Sequence, residues 1–205
     1  GRVLLAARSP AWRYRKGTSE ASSPIDAWRG VSFVEDGSWS TGGTPIGYGD
    51  NDDSTVLGDM QGEYSSVFLR HAIVITNAAD LTSSYRLRVY VDDGCLVWVN
   101  GNEVARPHMP DGDPAYDDTA DNHESAWEEF EITQAQAHLS VGTNLVAIHA
   151  FNQDVGSSDF SIDAELSTIP VGMPSPGQQN RRWTLLAPPQ VRQVEHTPRQ
   201  PTTND

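Results

Sequence analysis

One cysteine and one lysine, Cys95 and Lys16, are all that 205 residues contain of either. A lone cysteine excludes an intrachain disulfide and any cluster of zinc-binding thiolates, and its place in an apolar run marks it as a small core residue. A lone lysine leaves little room for lysine-dependent chemistry, and all the other basic residues are arginine. Long apolar runs are also missing. Nothing approaches the ~18 residues of a membrane-spanning helix, so no membrane insertion is expected. The opening GRVLLAA carries no charged, apolar and small-residue signal pattern, so the chain reads as a mature or excised form. Basic charge is scarce as well: 28 acidic against 14 basic residues give a formal charge of −14. Phosphates would be repelled, which excludes a nucleic-acid partner and favours bound cations.

Catalytic signatures are equally sparse. The six histidines are scattered, and there is no HExxH, no Gly-x-Ser-x-Gly and no Cys-His metal spacing. A pair of carboxylates placed for glycoside hydrolysis can always be found among so many acids, so such a pair discriminates nothing. The expectation is a protein that is not an enzyme.

What is present is a succession of short strands. Residues 66–75 (SVFLRHAIVI), 84–91, 126–132, 144–151 (NLVAIHAF) and 160–166 read as strands, with residues 3–7 and 12–15 as two earlier ones. In the last, Phe160, Ile162, Ala164 and Leu166 alternate with Ser161, Asp163 and Glu165, giving one core face and one wet face. Helical signals are confined to short turns at 23–28 and 134–139, and residues 33–48 read as irregular surface with aromatic anchors. The sum predicts an all-β fold, an antiparallel two-sheet β-sandwich or jelly roll over residues 1–167. A Pro-rich, extended tail follows over 168–205. About 165 residues suffice to bury a core without metal or disulfide staples.

The densest information lies in residues 88–106, RVYVDDGCLVWVNGNEVAR. Strand, acidic corner, strand, Asn100-Gly101 turn and strand follow one another and predict a β-meander; Asn-Gly is the strongest short hairpin signal. Asp92-Asp93-Gly94 has two readings: a tight turn, or two carboxylates offered to Ca²⁺ or to sugar hydroxyls. Asp50-Asn51-Asp52-Asp53 follows the Gly47-Tyr48-Gly49 bend and has the same two readings, although it lacks EF-hand spacing. Asp163 and Glu165 share the outward face of the last strand, where a cation could also sit. The segment 108–123 reads as a solvated acidic loop; a metal held by His108 and His123 with Asp111, Asp113, Asp117 or Asp121 is the alternative.

Sugar binding requires aromatic faces for pyranose C–H surfaces and planar polar groups for hydroxyls. Trp39, Tyr48, Trp98 and Tyr116 are the aromatic candidates, with Asp92, Asp93, Asn100 and Arg106 as polar partners. Trp12, Trp28 and Trp127 are as readily core residues.

Several motifs, in order, resemble a known module: Trp12-Arg13-Tyr14-Arg15-Lys16, residues 45–50 (PIGYGD), Val91-Asp92-Asp93-Gly94, Val99-Asn100-Gly101, Val104-Ala105-Arg106, Gly142-Thr143-Asn144 and Ser158-Asp159-Phe160. Together they resemble a galactose-binding-like β-sandwich module of large secreted bacterial surface proteins, some with lamin-tail-like or CotH-kinase-like parts. The resemblance spans about the first 167 residues and implies fold more than ligand. It implies a secreted, cell-surface location. Residues 174–194 resemble the linker and opening strand that lead into an immunoglobulin-like or fibronectin-like domain in such proteins.

Two functions are therefore expected. The first is a non-catalytic extracellular module for glycan binding or adhesion, with Ca²⁺ as a structural ion and no other cofactor. The second is a structural subunit of an extracellular filament or assembly, joined to neighbouring copies through strand-forming terminal residues Trp183, Leu185, Leu186, Val191 and Val194.

Overall fold

Alternation decides the layers. Tyr85, Leu87, Val89 and Val91 are fully buried, while Arg86, Arg88 and Tyr90 between them point outward. One apolar face per strand is the pattern of a sheet that covers a core. The computed structural model describes residues 1–81, 84–134 and 137–169. Among these are twelve strands: β1 (Val3–Leu5), β2 (Trp12–Lys16), β3 (Ser40–Gly42), β4 (Ile46–Tyr48), β5 (Thr55–Val56), β6 (Ser66–Ile75), β7 (Ser84–Asp92), β8 (Gly94–Val99), β9 (Asn102–Ala105), β10 (Ala126–Thr133), β11 (Gly142–Phe151) and β12 (Phe160–Thr168). They form two sheets, one ordered β10-β7-β12-β4-β5 with β1 also paired to β12, the other β3-β2-β6-β11-β8-β9. All pairings are antiparallel except β4 with β5. The fold is the expected all-β sandwich.

Between the sheets, Leu87, Val89, Val91, Ile162, Ala164 and Leu166 meet Val67, Leu69, Val97, Val146 and Ile148. Each valine, leucine or isoleucine among them contributes roughly 1.5–3 kcal/mol when buried. A second cluster covers the opposite face of the β6-β11-β8 sheet: Trp28, Trp39, Phe68, Leu96, Trp98, Leu145 and Phe151. Residues 18–39, with a 3-10 turn at Ala27–Arg29, lie over that face. Arg70 holds them there, donating to the carbonyls of Trp28 (2.8 Å) and Gly30 (2.9 Å) and pairing with Glu35. The near-continuous apolar character of β8 and β11 follows, since both of their faces are covered.

Three local expectations change. Residues 88–106 are not a meander: β7 pairs with β10 and β12, whereas β8 pairs with β11 and β9. Asp92-Asp93-Gly94 is the crossing from one sheet to the other, and only β8 and β9 form the hairpin, with Asn100 (φ 50°) and Gly101 (φ 82°) at its turn. Within 33–48 lie two short strands, β3 and β4, which form by pairing with β2 and β12. The predicted turn at 134–139 falls partly on residues outside those described. Trp183, Leu185, Leu186, Val191 and Val194 also lie outside the described residues.

Candidate functional site

The crossing from β7 to β8 positions most of the chemistry. Gly94 is required there: a Cβ on it would lie 2.7 Å from Ala120 Cβ and 3.0 Å from the His108 carbonyl oxygen, so the loops of 107–108 and 120 could not close over it. Asp93, joined to Asp92 by a cis peptide, spends both carboxylate oxygens on backbone N–H donors, those of His123 (2.8 Å) and Gln153 (2.7 Å). It is a loop clamp.

Asp92 is different. It lies on the outward side of β7 opposite Ser161, is only 4% exposed, and has no hydrogen-bond or ion-pair partner among the described residues. Burial first, and then the charges of Asp159, Asp93 and Asp50, push its pKa up to about 7. The carboxylates of Asp50, Asp92 and Asp159 converge within 4.8 Å of one another. Gly49 permits this approach: at φ 108° it passes so close to Ser158 and Asp159 that a Cβ would lie 2.7 Å from the Ser158 carbonyl oxygen. Three carboxylates, the buried and unpartnered Asp92 among them, form a hard-oxygen donor set suited to a divalent cation such as Ca²⁺.

Of Asp50, Asp52, Asp53, Asp163 and Glu165, read as metal ligands, only Asp50 belongs to this triad, where it meets Asp92 of the acidic corner. Asp53 is pushed up to about 6, chiefly by burial, and accepts a hydrogen bond from Ser161 Oγ (3.0 Å). Asp163 accepts the backbone N–H groups of Arg8 (2.9 Å) and Ala164 (2.8 Å), and burial raises its pKa. Glu165 lies 3.7 Å from Arg88. Asp52 belongs to a neighbouring groove.

That groove, about 290 Å³, lies over β7, β10 and β12 and is lined by Arg8, Pro45, Asp52, Tyr90, Trp127 and Asp163. Trp127 stands opposite Tyr90 across β10 and β7, and Tyr90 opposite Asp163 across β7 and β12. The Trp127 and Tyr90 rings are 5.5 Å apart, Arg88 lies 4.7 Å from the Trp127 ring, and Trp127 remains 39% exposed. Tyr90 and Asp92 share the outward side of β7 two residues apart, about 7 Å along the strand. Groove and acid triad are therefore neighbours on one sheet face.

The expected sugar-binding set is not gathered there. Trp39 and Trp98, expected to offer stacking faces, are buried in the second cluster, and the Arg29 guanidinium lies 4.0 Å over the Trp98 ring. Tyr48 is buried, its hydroxyl donating to the Ser157 carbonyl (2.7 Å) and accepting from Asn152 (3.0 Å). Tyr116 packs half-buried against the same second cluster. Asn100 fastens the hairpin, donating to the His138 carbonyl (2.7 Å) and accepting from the Leu145 N–H (2.8 Å). Arg106 makes a two-pronged pair with Glu103 at 2.7 and 2.8 Å. Sequence reasoning missed Arg8, Tyr90, Trp127 and Asp159 as site residues. A signal for two of them was available: Tyr90 and Trp127 fall among polar and charged residues on the outward register of their strands. A larger groove of about 460 Å³ on the other sheet includes Arg13, Phe33, Glu35, Arg70 and His71, where both arginines are paired to the one carboxylate of Glu35.

No protein-family model matches the chain. No curated protein matches it either. Among solved structures it is similar to a β-glucuronidase of Bacteroides uniformis, with a TM-score of 0.52 at 14% identity over 82% of this chain and 18% of that one. It is also similar to B. uniformis β-glucuronidase 2 covalently bound to cyclophellitol-6-carboxylate aziridine, with a TM-score of 0.51 at 13% identity and the same coverage. The chain thus spans under a fifth of the length of either enzyme, and the likeness is one of fold.

Proposed function

We propose that this domain is a non-catalytic, galactose-binding-like glycan-binding module of a secreted bacterial surface protein, serving adhesion. In this reading Ca²⁺ is held by Asp50, Asp92 and Asp159, and a sugar ring rests in the groove of Tyr90 and Trp127. The observation that carries it is Asp92, a buried carboxylate without a partner that faces two further carboxylates. Ca²⁺ takes six to eight oxygens, more than three carboxylates provide, and sugar hydroxyls are oxygens of the right kind to complete the shell. Arg8 and Asp52, at the rim of the groove, are placed to take further hydroxyls. Occurrence of the same fold within chains named as β-glucuronidases is in keeping with a carbohydrate setting.

The test is a glycan array probed with and without a calcium chelator, repeated with Asp92→Asn and Trp127→Ala. Calcium-dependent binding lost in both variants supports the reading. Absence of any glycan signal under both conditions sinks it.

A further inference from the structure

We infer that His108, His123 and Glu128 form a second metal site, selective for a first-row transition ion such as Zn²⁺ and separate from the acid triad. His108 Nε2 is in hydrogen-bond contact with Glu128 Oε1, and His123 Nε2 lies 3.5 Å from the same oxygen. The two imidazoles are stacked, with centroids 3.8 Å apart and planes 18° from parallel, and the three donor atoms lie within 4.8 Å of one another. In a tetrahedral zinc site with ~2.0–2.1 Å bonds, ligand atoms stand about 3.3 Å apart. Near-parallel rings direct their Nε2 lone pairs side by side, so metal binding requires both rings to turn until the lone pairs converge on one ion.

The scaffold favours preorganisation. Glu128 sits on β10 at the register of the inward-facing Phe130 and Ile132, an unusual place for a carboxylate at the sandwich edge. The loops carrying the histidines are tied together and to the sheet crossing. Asp121 N–H donates to the His108 carbonyl (2.9 Å), Cys95 N–H to the Pro107 carbonyl (3.1 Å), and His123 N–H to Asp93 (2.8 Å). His108 itself is held at φ 56°, a conformation uncommon for a side-chain-bearing residue, and its ring meets Glu128.

Donor chemistry separates the two sites. Two imidazole nitrogens and one carboxylate suit Zn²⁺ and its neighbours, whereas Ca²⁺ prefers oxygen alone. Three protein ligands leave a fourth position to water or to a donor from a bound molecule. His123 Nδ1 is buried without a hydrogen-bond partner, so one outer contact that normally supports a metal-bound histidine is missing. Affinity is expected to lie about 10–100-fold below that of a fully supported site.

The experiment is calorimetric titration of the untagged, chelator-stripped full chain with Zn²⁺ in saturating Ca²⁺, alongside His108→Ala, His123→Ala and Glu128→Gln. One Zn²⁺ per chain, weakened at least tenfold in each variant, is the expected result. Circular dichroism melts verify that the variants fold. X-ray absorption on the zinc-loaded wild type gives a readout free of mutation, and two imidazoles in the first shell are expected. No Zn²⁺ binding, binding unaltered in all three variants, or fewer than two imidazoles would overturn the assignment. None of these outcomes bears on the calcium-dependent glycan reading.

Discussion

Asp92 and Asp93 are adjacent in the chain with opposite surroundings. Asp93 receives backbone N–H donors from His123 and Gln153, while Asp92 meets no donor among the described residues and faces Asp50 and Asp159 instead. One carboxylate organises the loops; its neighbour is left with a charge to neutralise.

That difference fixes a pH dependence. Asp92 is raised to about 7 in the folded chain by burial and then by Asp159, against about 3.9 for an unfolded aspartate. The folded state therefore binds the extra proton, and without a cation stability falls as pH rises from about 4 to about 7, on the order of 2–4 kcal/mol in full above that window. Asp53, raised to about 6, acts in the same sense. Burial of His149 lowers its pKa and acts in the opposite sense at acid pH, so the quantity to read is wild type minus Asp92→Asn. Thermal melts in chelator from pH 4 to 8 should show the variant gaining on wild type as pH rises. Ca²⁺ should raise the wild-type melting temperature far more at pH 8 than at pH 5.

Trp127→Ala removes a ring from an edge strand where much of it is already exposed, so unfolding free energy should change by no more than about 1 kcal/mol. Glycan affinity should fall at least tenfold if the ring stacks on sugar. Equal affinity in the variant, measured by calorimetry on the best array hit, would remove Trp127 from the site.

Arg70→Ala strips a buried guanidinium from Glu35 and from two carbonyls of the segment that covers Trp98. Urea unfolding should show a loss of about 3–5 kcal/mol, as for other buried pairs broken from one side. Tryptophan emission should shift to the red as Trp28 and Trp39 gain water.

Cys95 is fully buried and its thiol is pushed far above the usual range, chiefly by burial. Ellman's reagent should leave the native chain untouched for hours and react at once in denaturant. Rapid native labelling would contradict the packing of β8.

Much of this architecture was legible and some was not, for reasons that differ by residue. Alternation in β7 marked both of its faces, and Asn100-Gly101 marked the hairpin, because both are local properties; in β12 it marked the core face, but the face expected to be wet is largely covered, with Ser161 and Asp163 buried. The sheet crossing at Asp92-Asp93-Gly94 was hidden because a turn-forming composition is the same whether the chain folds back or passes to another layer. Trp98 was misplaced as an exposed ring for want of one inference, that the unbroken apolar run 95–99 requires cover on both faces, and Trp39 with it because it lies in the segment that supplies that cover. The acid triad joins residues from three distant segments, and no spacing announces it. His108 and His123 stack on each other, and the carboxylate beside them is Glu128 of β10, which the sequence reading did not consider, rather than one from the loop between them.

Strand β10 is the outermost member of its sheet among the described residues, and its eight residues carry Glu128, Glu129 and Glu131. An outermost strand offers a row of unmatched amide groups to any passing chain. Here a second copy of the same strand would set glutamate against glutamate, in a molecule already at −14. Growth through this side is therefore expected to be opposed by charge, and a docking strand that carries arginine or lysine is expected to be favoured.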